Sequence, residues 1–203
     1  MDAVVRAEAQ AEAHGRRGDT RARIQRVALE LFAEQGYEGT SLREIAERLS
    51  VTKAALYYHF KSKEDIVRSF TEDHFTRLDA LITWATDQPP GPVTGHEILE
   101  RYVSIMTDGS DVFRFMEQNQ AVLNNHGTGK HRFEQFRPRL ETLVRLIIGP
   151  GATPRAQVRA TTAFFATSVS FMYFHGKGEI GPQELRELVL EAADDLIRDV
   201  TAA

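Results

Sequence analysis

The feature that most constrains the fold is a repeated pattern of apolar residues at helical spacing, interrupted at intervals by glycine and proline. Between Thr20 and Gln35, apolar residues recur at i, i+3, i+4, i+7 and i+8, which is one stripe of an amphipathic helix. Similar patterns continue to about residue 200, separated by breaks such as "QPPGPVTG" and "IGPGATP". There is no β-type alternation of useful length and no internal repeat. The sequence therefore predicts an all-α protein of about nine helices.

Two of the predicted helices are short and lie on either side of a tight break. Ser41, followed three residues later by Glu44, forms the capping-box pattern that starts a helix of about nine residues. After a two-residue break, a second short helix begins near Thr52, with Leu56 and Phe60 as its inner pair. Together with the preceding amphipathic helix, this arrangement predicts a three-helix helix-turn-helix domain, whose second short helix enters the major groove of DNA.

The second short helix carries side chains suited to DNA. It begins with Lys53, which can reach a guanine edge or a phosphate, and the small Ala54, which allows close approach to base edges. Tyr57 and His59 are the expected outward-facing donors, with Tyr58 intermediate between the two faces. From the residues alone two interpretations stay open, namely a DNA-reading helix and an amphipathic hairpin with no such role.

The distribution of charge matters more than its sum. The net charge is −4, but residues 16–63 contain ten basic and six acidic side chains, whereas residues 68–198 contain 14 basic and 17 acidic ones. Fields from exposed charges decay over about 8 Å at physiological salt, so the local sign decides which partner is attracted. The N-terminal quarter is therefore compatible with nucleic acid.

Composition excludes several classes of protein. Apolar residues make up 42% and charged residues 27% of the 203, as in ordinary globular chains. There is no cysteine, and no apolar run approaches the roughly 20 residues that cross a bilayer. The N-terminus lacks the apolar core of a signal peptide, and the seven histidines show no ligand spacing. We expect a cytoplasmic protein with no membrane segment, no metal and no cofactor.

Three segments are predicted along the chain. Residues 1–18 are expected to form a flexible N-terminal arm, residues 19–66 the helix-turn-helix DNA-binding domain, and residues 67–203 a larger helical body. A start signal at Ser62 opens the longer helix that joins the last two segments. The arginines at positions 16 and 17 either add minor-groove or phosphate contacts or belong to a solvated tail, and the sequence favours neither.

The segment "ALELFAEQGYEGTSLREIAERLSVTKAALYYHFKSKEDIV" resembles the DNA-binding domain of the tetracycline-repressor (TetR) family of bacterial regulators. The matching features are Phe32, Gly36 and Tyr37 at the end of the first helix, Thr40 before the second, the Ile45-Ala46 pair, and "LYYHFKSKED". The resemblance covers about residues 21–67, and the remaining two-thirds shows only the expected pattern of helices. It implies an N-terminal helix-turn-helix domain joined to a larger helical domain over residues 67–203, which binds an effector ligand and forms the dimer.

The resemblance also implies individual DNA contacts. Base contacts are expected from Arg43, Lys53 and Ala54, with Tyr57 as a further candidate. Phosphate contacts are expected from polar side chains around the same surface, which are Thr40 or Ser41, Tyr57, His59 and Lys63. The family usually has glycine at the turn position held here by Ser50, where φ is often positive. A serine there is expected either to carry strain on the order of 1 kcal/mol or to make the last turn close differently, and both alternatives stay open.

The last two predicted helices are suited to dimerisation. The helix over about residues 154–175 is apolar nearly all round, so it must be buried on both sides, either between subunits or within one chain. A dimer reads two half-sites about 34–36 Å apart, and the resemblance implies a four-helix interface between subunits. The expected interface residues are Phe164, Val169, Met172, Leu185, Leu188, Val189, Ala192 and Leu196.

Between these regions the sequence suggests an effector pocket. Asn119 and Gln120 hold positions on a core-facing stripe that should be apolar, so their amides need either internal partners or a cavity with a ligand. Both explanations remain open. The expected pocket residues are Tyr102, Phe113, Met116, Asn119, Gln120, Phe136 and Phe165, whose aromatic content favours a lipophilic or aromatic effector.

These features predict a DNA-binding transcriptional regulator, most simply a repressor that binds a palindromic double-stranded operator as a homodimer and is released by a small-molecule effector. One alternative is an activator of the same family, because the sign of regulation depends on where the operator lies. Another is a ligand-binding helical dimer whose DNA reading is vestigial. The "HEILE" segment at His96 lacks the second histidine of a zinc-protease motif, and no catalytic pattern predicts an enzyme.

Overall fold

The structure is a computed structural model that describes residues 2–89, 91–119, 128–174 and 177–198; for residues 2–18, 92 and 128–133 it describes the backbone alone. Over these residues the chain forms nine helices and no strand, which confirms the all-α prediction. In chain order the helices are α1 (Asp2–Gln35), α2 (Leu42–Arg48), α3 (Lys53–His59), α4 (Lys63–Thr86), α5 (Pro92–Asp108), α6 (Ser110–Gln118), α7 (Thr128–Ile148), α8 (Pro154–Phe174) and α9 (Pro182–Ile197).

Helix α1 begins earlier than the sequence predicts. A cap at Asp19 or Thr20 is expected to start it, yet the helix runs from Asp2 to Gln35. Residues 3–13 consist of alanine, valine, glutamate, glutamine and arginine, most of which favour helix, so nothing in that stretch stops it. Whether residues 1–18 act as an arm stays a prediction, and the side chains at positions 16 and 17 lie outside the described part of the chain.

The chain divides into two compact units between Phe70 and Thr71. The predicted boundary after residue 66 falls in the same helix, α4, and the functional division into three segments stays a prediction. In the first unit, α2 packs on α1 and α3. Its buried residues include Ile24, Val27, Ala28, Leu31, Phe32, Ile45, Ala46, Leu56, Phe60 and Ile66. Both predicted inner faces, those of α1 and α3, are therefore confirmed.

Three helices of the first unit begin at hydroxyl side chains. The oxygen of Ser41 accepts a hydrogen bond from Glu44 N (3.2 Å), and the Glu44 carboxylate accepts one from Ser41 N (2.7 Å), so the predicted capping box is confirmed. Thr52 accepts from Ala55 N (3.1 Å) at the start of α3. Ser62 caps α4 in the same way. These caps fix where α2, α3 and α4 begin.

The second unit has one core, to which α5 and α8 are central. Helix α5 packs on α6, α7, α8 and α9. Helix α8 packs on α5, α6, α7 and α9. The largest fully buried side chains in this core are Leu78, Ile98, Leu99, Tyr102, Leu143 and Phe164. Among the described side chains, every buried nitrogen or oxygen has a hydrogen-bond partner. The described part of the core therefore contains no buried side-chain polar atom that needs a ligand or a water as its partner.

No helix in the described ranges combines the length and apolarity needed to cross a membrane. Among the described side chains, no three histidine, aspartate or glutamate residues group together as possible metal ligands. The chemistry of the described surface therefore rests on individual basic, hydroxyl and aromatic side chains.

Candidate nucleic-acid interface

The turn between α2 and α3 positions the second short helix. Ser50 N donates to Glu47 O (3.1 Å), and Val51 N donates to Ala46 O (3.0 Å). These two bonds form a Schellman motif at the end of α2, whose C-cap residue is Leu49. In this motif the residue after the C-cap, here Ser50, is usually a left-handed glycine. Ser50 takes φ +56°, the one positive φ at a non-glycine residue among those described. Of the two alternatives for this serine, the structure shows the strained one, a positive φ in a turn that keeps its ordinary hydrogen bonds.

Helices α2, α3 and α4 border a shallow concave surface of about 410 Å³, here called the α2–α3 concavity. It is lined by Thr40, Ser41, Leu42, Arg43, Lys53, Tyr57, Lys63 and Glu64. Six of these eight are predicted DNA contacts, drawn from two helices, the start of a third and the loop before α2. Ala54 and His59, the other two predicted contacts, do not line it.

Thr40 and Ser41 were alternatives for one phosphate contact, and the structure gives them different surroundings. Thr40 is only 2% exposed, and its hydroxyl donates to Gly36 O (2.8 Å) at the end of α1. Ser41 is exposed, and its hydroxyl donates to the Glu44 carboxylate (2.7 Å). The Thr40 side chain therefore closes the connection from α1 to α2, which leaves Ser41 as the candidate that is accessible to DNA.

The three predicted base-contact residues are all exposed. Arg43 Nε donates to Glu47 Oε1 (2.7 Å), and this hydrogen bond to a carboxylate raises the pKa of the Arg43 guanidinium above its ordinary value. The Lys53 ammonium lies 5.6 Å from the centroid of the Tyr57 ring, within cation–π range. Ala54 is exposed beside it. Their roles in base contact stay predictions.

The exposure of the aromatic residues on α3 differs from the expectation. Tyr58 is 61% exposed, whereas Tyr57 and His59 are half-buried. The reason is helical geometry: successive residues are about 100° apart, so Tyr58 lies opposite the inner pair Leu56 and Phe60, and its two neighbours flank it. The Tyr58 ring stands edge-on to His59, with centroids 5.2 Å apart. Tyr58 is thus an outward candidate that the sequence could have ranked first by counting angles from the inner pair.

The first turn of α4 is bound to the connection between α1 and α2. Lys63 Nζ donates to Tyr37 O (2.6 Å) and lies 4.5 Å from the centroid of the Tyr37 ring. The Tyr37 hydroxyl donates to Glu64 Oε1 (2.9 Å). Burial, assisted by the bond to Glu64, raises the pKa of Tyr37 well above its ordinary value. Lys63 therefore positions α4, and its predicted phosphate contact stays a prediction.

The predicted effector-pocket residues lie in different parts of the second unit. Tyr102 is 1% exposed, shares a hydrogen bond with Ser168 Oγ (2.7 Å) and packs edge-on against Phe164 at 4.8 Å between centroids. Phe113 is half-buried, with its ring edge-on to His74 at 4.9 Å. Tyr102 is therefore a core residue with a satisfied hydroxyl.

The polar break on the α6 stripe coincides with the end of that helix. Helix α6 ends at Gln118, and Asn119 Nδ2 donates to Phe115 O (2.9 Å). The amide of Asn119 is thus satisfied by its own helix, as one of the two interpretations requires. Met116 is buried at 7% exposure, and Gln120 lies outside the described residues.

Phe136 and Phe165 share a groove of about 510 Å³ between α7 and α8, here called the α7–α8 groove. Its apolar lining is completed by Leu140, Val144 and Ile148, and polar side chains border it. Two of the predicted effector residues therefore meet on one surface, separate from the buried Tyr102.

The predicted dimer residues divide between core and surface. Phe164, Leu185 and Val189 are buried, whereas Val169, Met172, Leu188 and Ala192 are exposed and Leu196 is half-buried. The three buried side chains have almost no area left for a second subunit, because they pack within the core of their own chain. Among the larger exposed side chains, Val169 is 53%, Met172 45% and Leu188 48% accessible to solvent. The surface set alone is available to a partner.

Comparison with known proteins agrees with this arrangement. Residues 24–70 match the family of bacterial regulatory proteins, tetR family. The transposon Tn10 TetC protein of Escherichia coli is 27% identical over 118 residues, which are 58% of this chain and 60% of that protein. The biofilm operon icaADBC HTH-type negative transcriptional regulator IcaR of Staphylococcus epidermidis is 46% identical over 48 residues, 24% of this chain and 26% of IcaR. The chain matches less than two thirds of the length of these curated relatives.

The fold extends the likeness beyond the first unit. The crystal structure of a transcriptional regulator (TerR/AcrR family) from Aquifex aeolicus VF5 covers 85% of this chain and 96% of its own, with a TM-score of 0.69 and 23% identity. Helices throughout the described residues, with a helix-turn-helix unit first, define the class as an all-α helix-turn-helix protein. Within that class, the segment 24–70 matches the tetR family of bacterial regulatory proteins, and the likeness of the rest of the chain is one of fold.

Proposed function

We propose that this protein is a cytoplasmic transcriptional regulator, most simply a repressor, that binds a double-stranded DNA operator. The observation that supports this best is the α2–α3 concavity, which gathers five accessible predicted DNA contacts, beside the buried Thr40, on one face. Repression is favoured because the relative IcaR is described as a negative transcriptional regulator.

In this proposal two kinds of side chain divide the work. Arg43, Lys53 and Ala54 contact base edges, since guanidinium and ammonium groups pair with guanine and a methyl group packs on thymine. Ser41, Tyr57, His59 and Lys63 contact phosphates, which sets the register without reading sequence. The exposed Tyr58 joins this second set.

The operator is proposed to be palindromic, because the protein is proposed to act as a homodimer. Along α8 the residues Val158, Thr162, Phe165, Val169 and Met172 form an exposed stripe. Their spacing alternates between four and three residues, which is the pattern of helices that pack side by side. Leu188 and Ala192 of α9 add exposed apolar surface to this proposed interface.

A small lipophilic or aromatic effector is proposed to bind the second unit and release DNA. The α7–α8 groove supports this proposal, since two predicted pocket residues, Phe136 and Phe165, line it among aliphatic side chains. An aromatic compound that lowers operator affinity would identify the effector class.

The test is fluorescence anisotropy with the duplex upstream of the protein's own gene, beside a shuffled duplex, at physiological salt. Specific binding that saturates at two subunits per site, or a multiple of two, is expected. Lys53→Ala should reduce the preference for the operator by about fivefold to a hundredfold, because one base contact contributes about 1–3 kcal/mol. Equal weak binding to both duplexes, repeated in a selection of genomic fragments, favours the vestigial alternative.

An activator would pass the binding test, so the sign of regulation needs a second measurement. A reporter gene placed downstream of the operator should be expressed more strongly when the regulator is deleted. Lower expression on deletion would favour the activator.

A further inference from the structure

We infer that Glu47 is a positioning residue for base recognition: it holds the Arg43 guanidinium in one orientation, with an outer edge directed at a guanine. This inference rests on the proposed DNA-binding function, in which Arg43 contacts a base.

The hydrogen bond between the two residues has a defined geometry. Arg43 and Glu47 are one turn apart on α2, and Arg43 Nε donates to Glu47 Oε1 at 2.7 Å. A guanidinium presents its donors in one rigid plane, so a bond at Nε restricts the orientations that this plane takes. The two terminal nitrogens then form the opposite edge, whose spacing matches O6 and N7 of guanine.

Stability does not explain this pair. The side chains are 77% (Arg43) and 59% (Glu47) exposed, and exposed pairs of this kind contribute little to folding. The neighbouring Glu44 is engaged elsewhere, since its carboxylate accepts hydrogen bonds from Ser41. Glu47 is therefore the carboxylate that orients Arg43.

The position of the pair connects it with DNA. Arg43 lines the α2–α3 concavity together with Lys53 and Tyr57. A carboxylate next to that surface also repels phosphates, which weakens binding to every sequence alike. Glu47 thus has two effects of the same sign on specificity, since it improves the contact at one base and lowers non-specific affinity.

The experiment compares Glu47→Ala and Glu47→Gln in the full chain. Affinity is measured by fluorescence anisotropy for the operator, for operators changed at each guanine in turn, and for a shuffled duplex. Glu47→Ala should bind the shuffled duplex severalfold more tightly and lose about fivefold or more of its preference at one guanine. Glu47→Gln, which keeps an acceptor, should retain part of that preference while showing the increase in non-specific affinity.

Two further variants separate positioning from charge. Arg43→Ala should abolish preference at the same guanine, and adding Glu47→Ala to it should change that preference no further. The control is Glu30→Ala, which removes the carboxylate of another exposed i, i+4 pair, with Arg26 on α1 at 3.5 Å. Glu30→Ala should leave every base preference unchanged.

The outcomes distinguish this inference from the proposed function. If Glu47→Ala keeps the parent preference at every guanine, or lowers preference at a guanine that Arg43→Ala leaves unaffected, Glu47 does not position Arg43. Lys53→Ala would then still weaken operator binding, so the regulator assignment would stand. If the parent prefers no duplex at all, the proposed function and this inference both fail.

Discussion

Ser50 shows how one residue can hold a strained conformation inside a well-formed turn. The left-handed region costs a residue with a Cβ atom roughly 1–2 kcal/mol. Its φ is +56°, and the hydrogen bonds of Ser50 N and Val51 N keep the backbone there. The strain is tolerated because the turn joins α2 and α3, whose inner faces are buried and hold the two helices in place.

Ser50→Gly should raise the free energy of unfolding by about 0.5–1 kcal/mol. Relief of the left-handed strain exceeds the extra chain entropy that glycine brings to the unfolded state. Thermal or urea unfolding measures the change. Ser50→Ala is the control, because it removes the hydroxyl but keeps Cβ, and equal stabilisation by both variants would contradict the role of φ.

The two buried tyrosines, Tyr102 and Tyr37, make the free energy of unfolding depend on pH in the alkaline range. Burial raises the pKa of Tyr102 to about 12, although its bond to Ser168 opposes the shift. Because the pKa of a tyrosine in the unfolded chain is about 10, Tyr102 holds its proton more tightly in the folded state than in the unfolded one. The corresponding stability is complete below about pH 10 and is lost as the pH rises towards about 12. Tyr37, whose pKa is also raised, adds to the same loss.

We therefore expect the free energy of unfolding to fall above about pH 10, by up to about 1.4 kcal/mol per pH unit for each tyrosine that titrates in this way. Tyr102→Phe should reduce the slope, even though it also lowers stability at neutral pH by removing a hydrogen bond. Urea unfolding at several pH values measures both effects. Parallel curves for parent and variant would show that Tyr102 does not titrate on unfolding.

Helix α8 illustrates how one element serves two surfaces. One face packs in the core through residues such as Ala160, Phe164 and Thr167, and the other exposes the stripe that contains Val169. An isolated chain with such a stripe exposes apolar area that a second helix pair can bury. The element therefore belongs to the fold on one side and to the proposed dimer on the other.

Val169→Glu should convert the proposed dimer into a monomer at micromolar concentration, because it places a charge within the exposed stripe. Its thermal stability as a monomer should change little, since Val169 is 53% exposed. Light scattering after size-exclusion chromatography gives the mass. Val93→Glu, at another exposed valine on α5, should remain dimeric. A monomeric parent, or a dimeric Val169→Glu, would exclude this interface.

At the scale of the whole molecule, the two compact units have separate cores. Leu56 is fully buried in the first unit, and Leu143 is only 1% exposed in the second. The single tryptophan, Trp84, packs against the second core, with the Arg101 guanidinium 3.9 Å from its ring centroid. Tryptophan fluorescence therefore reports the second unit, while DNA binding reports the first.

Leu56→Ala should destabilise the first unit by about 2–5 kcal/mol, because it opens a cavity among fully buried side chains. DNA binding should be lost at a lower temperature than the transition of Trp84 fluorescence. Leu143→Ala should instead lower the temperature of the fluorescence transition itself. If Leu56→Ala shifted both signals together, the two units would unfold as one.

Much of the candidate site was predictable because it depends on local signals. The capping patterns at Ser41 and Ser62 placed two helix starts, and spacing identified Leu56 and Phe60 as inner residues. Counting angles from that pair would also have given Tyr58 its exposure. The early start of α1 was missed, because a plausible cap at Asp19 does not end a helix when the residues before it also favour one.

The sequence by itself determined the helices, most of their ends and the inner face of each short helix. These depend on hydrogen bonds and side-chain spacing within a few residues. Only the tertiary structure decided that Thr40 is buried, that Lys63 binds the carbonyl of Tyr37 26 residues away, and which face of α8 fills the core. Such contacts join residues that are distant in the chain, and periodicity within one helix shows that a face is apolar without showing what covers it.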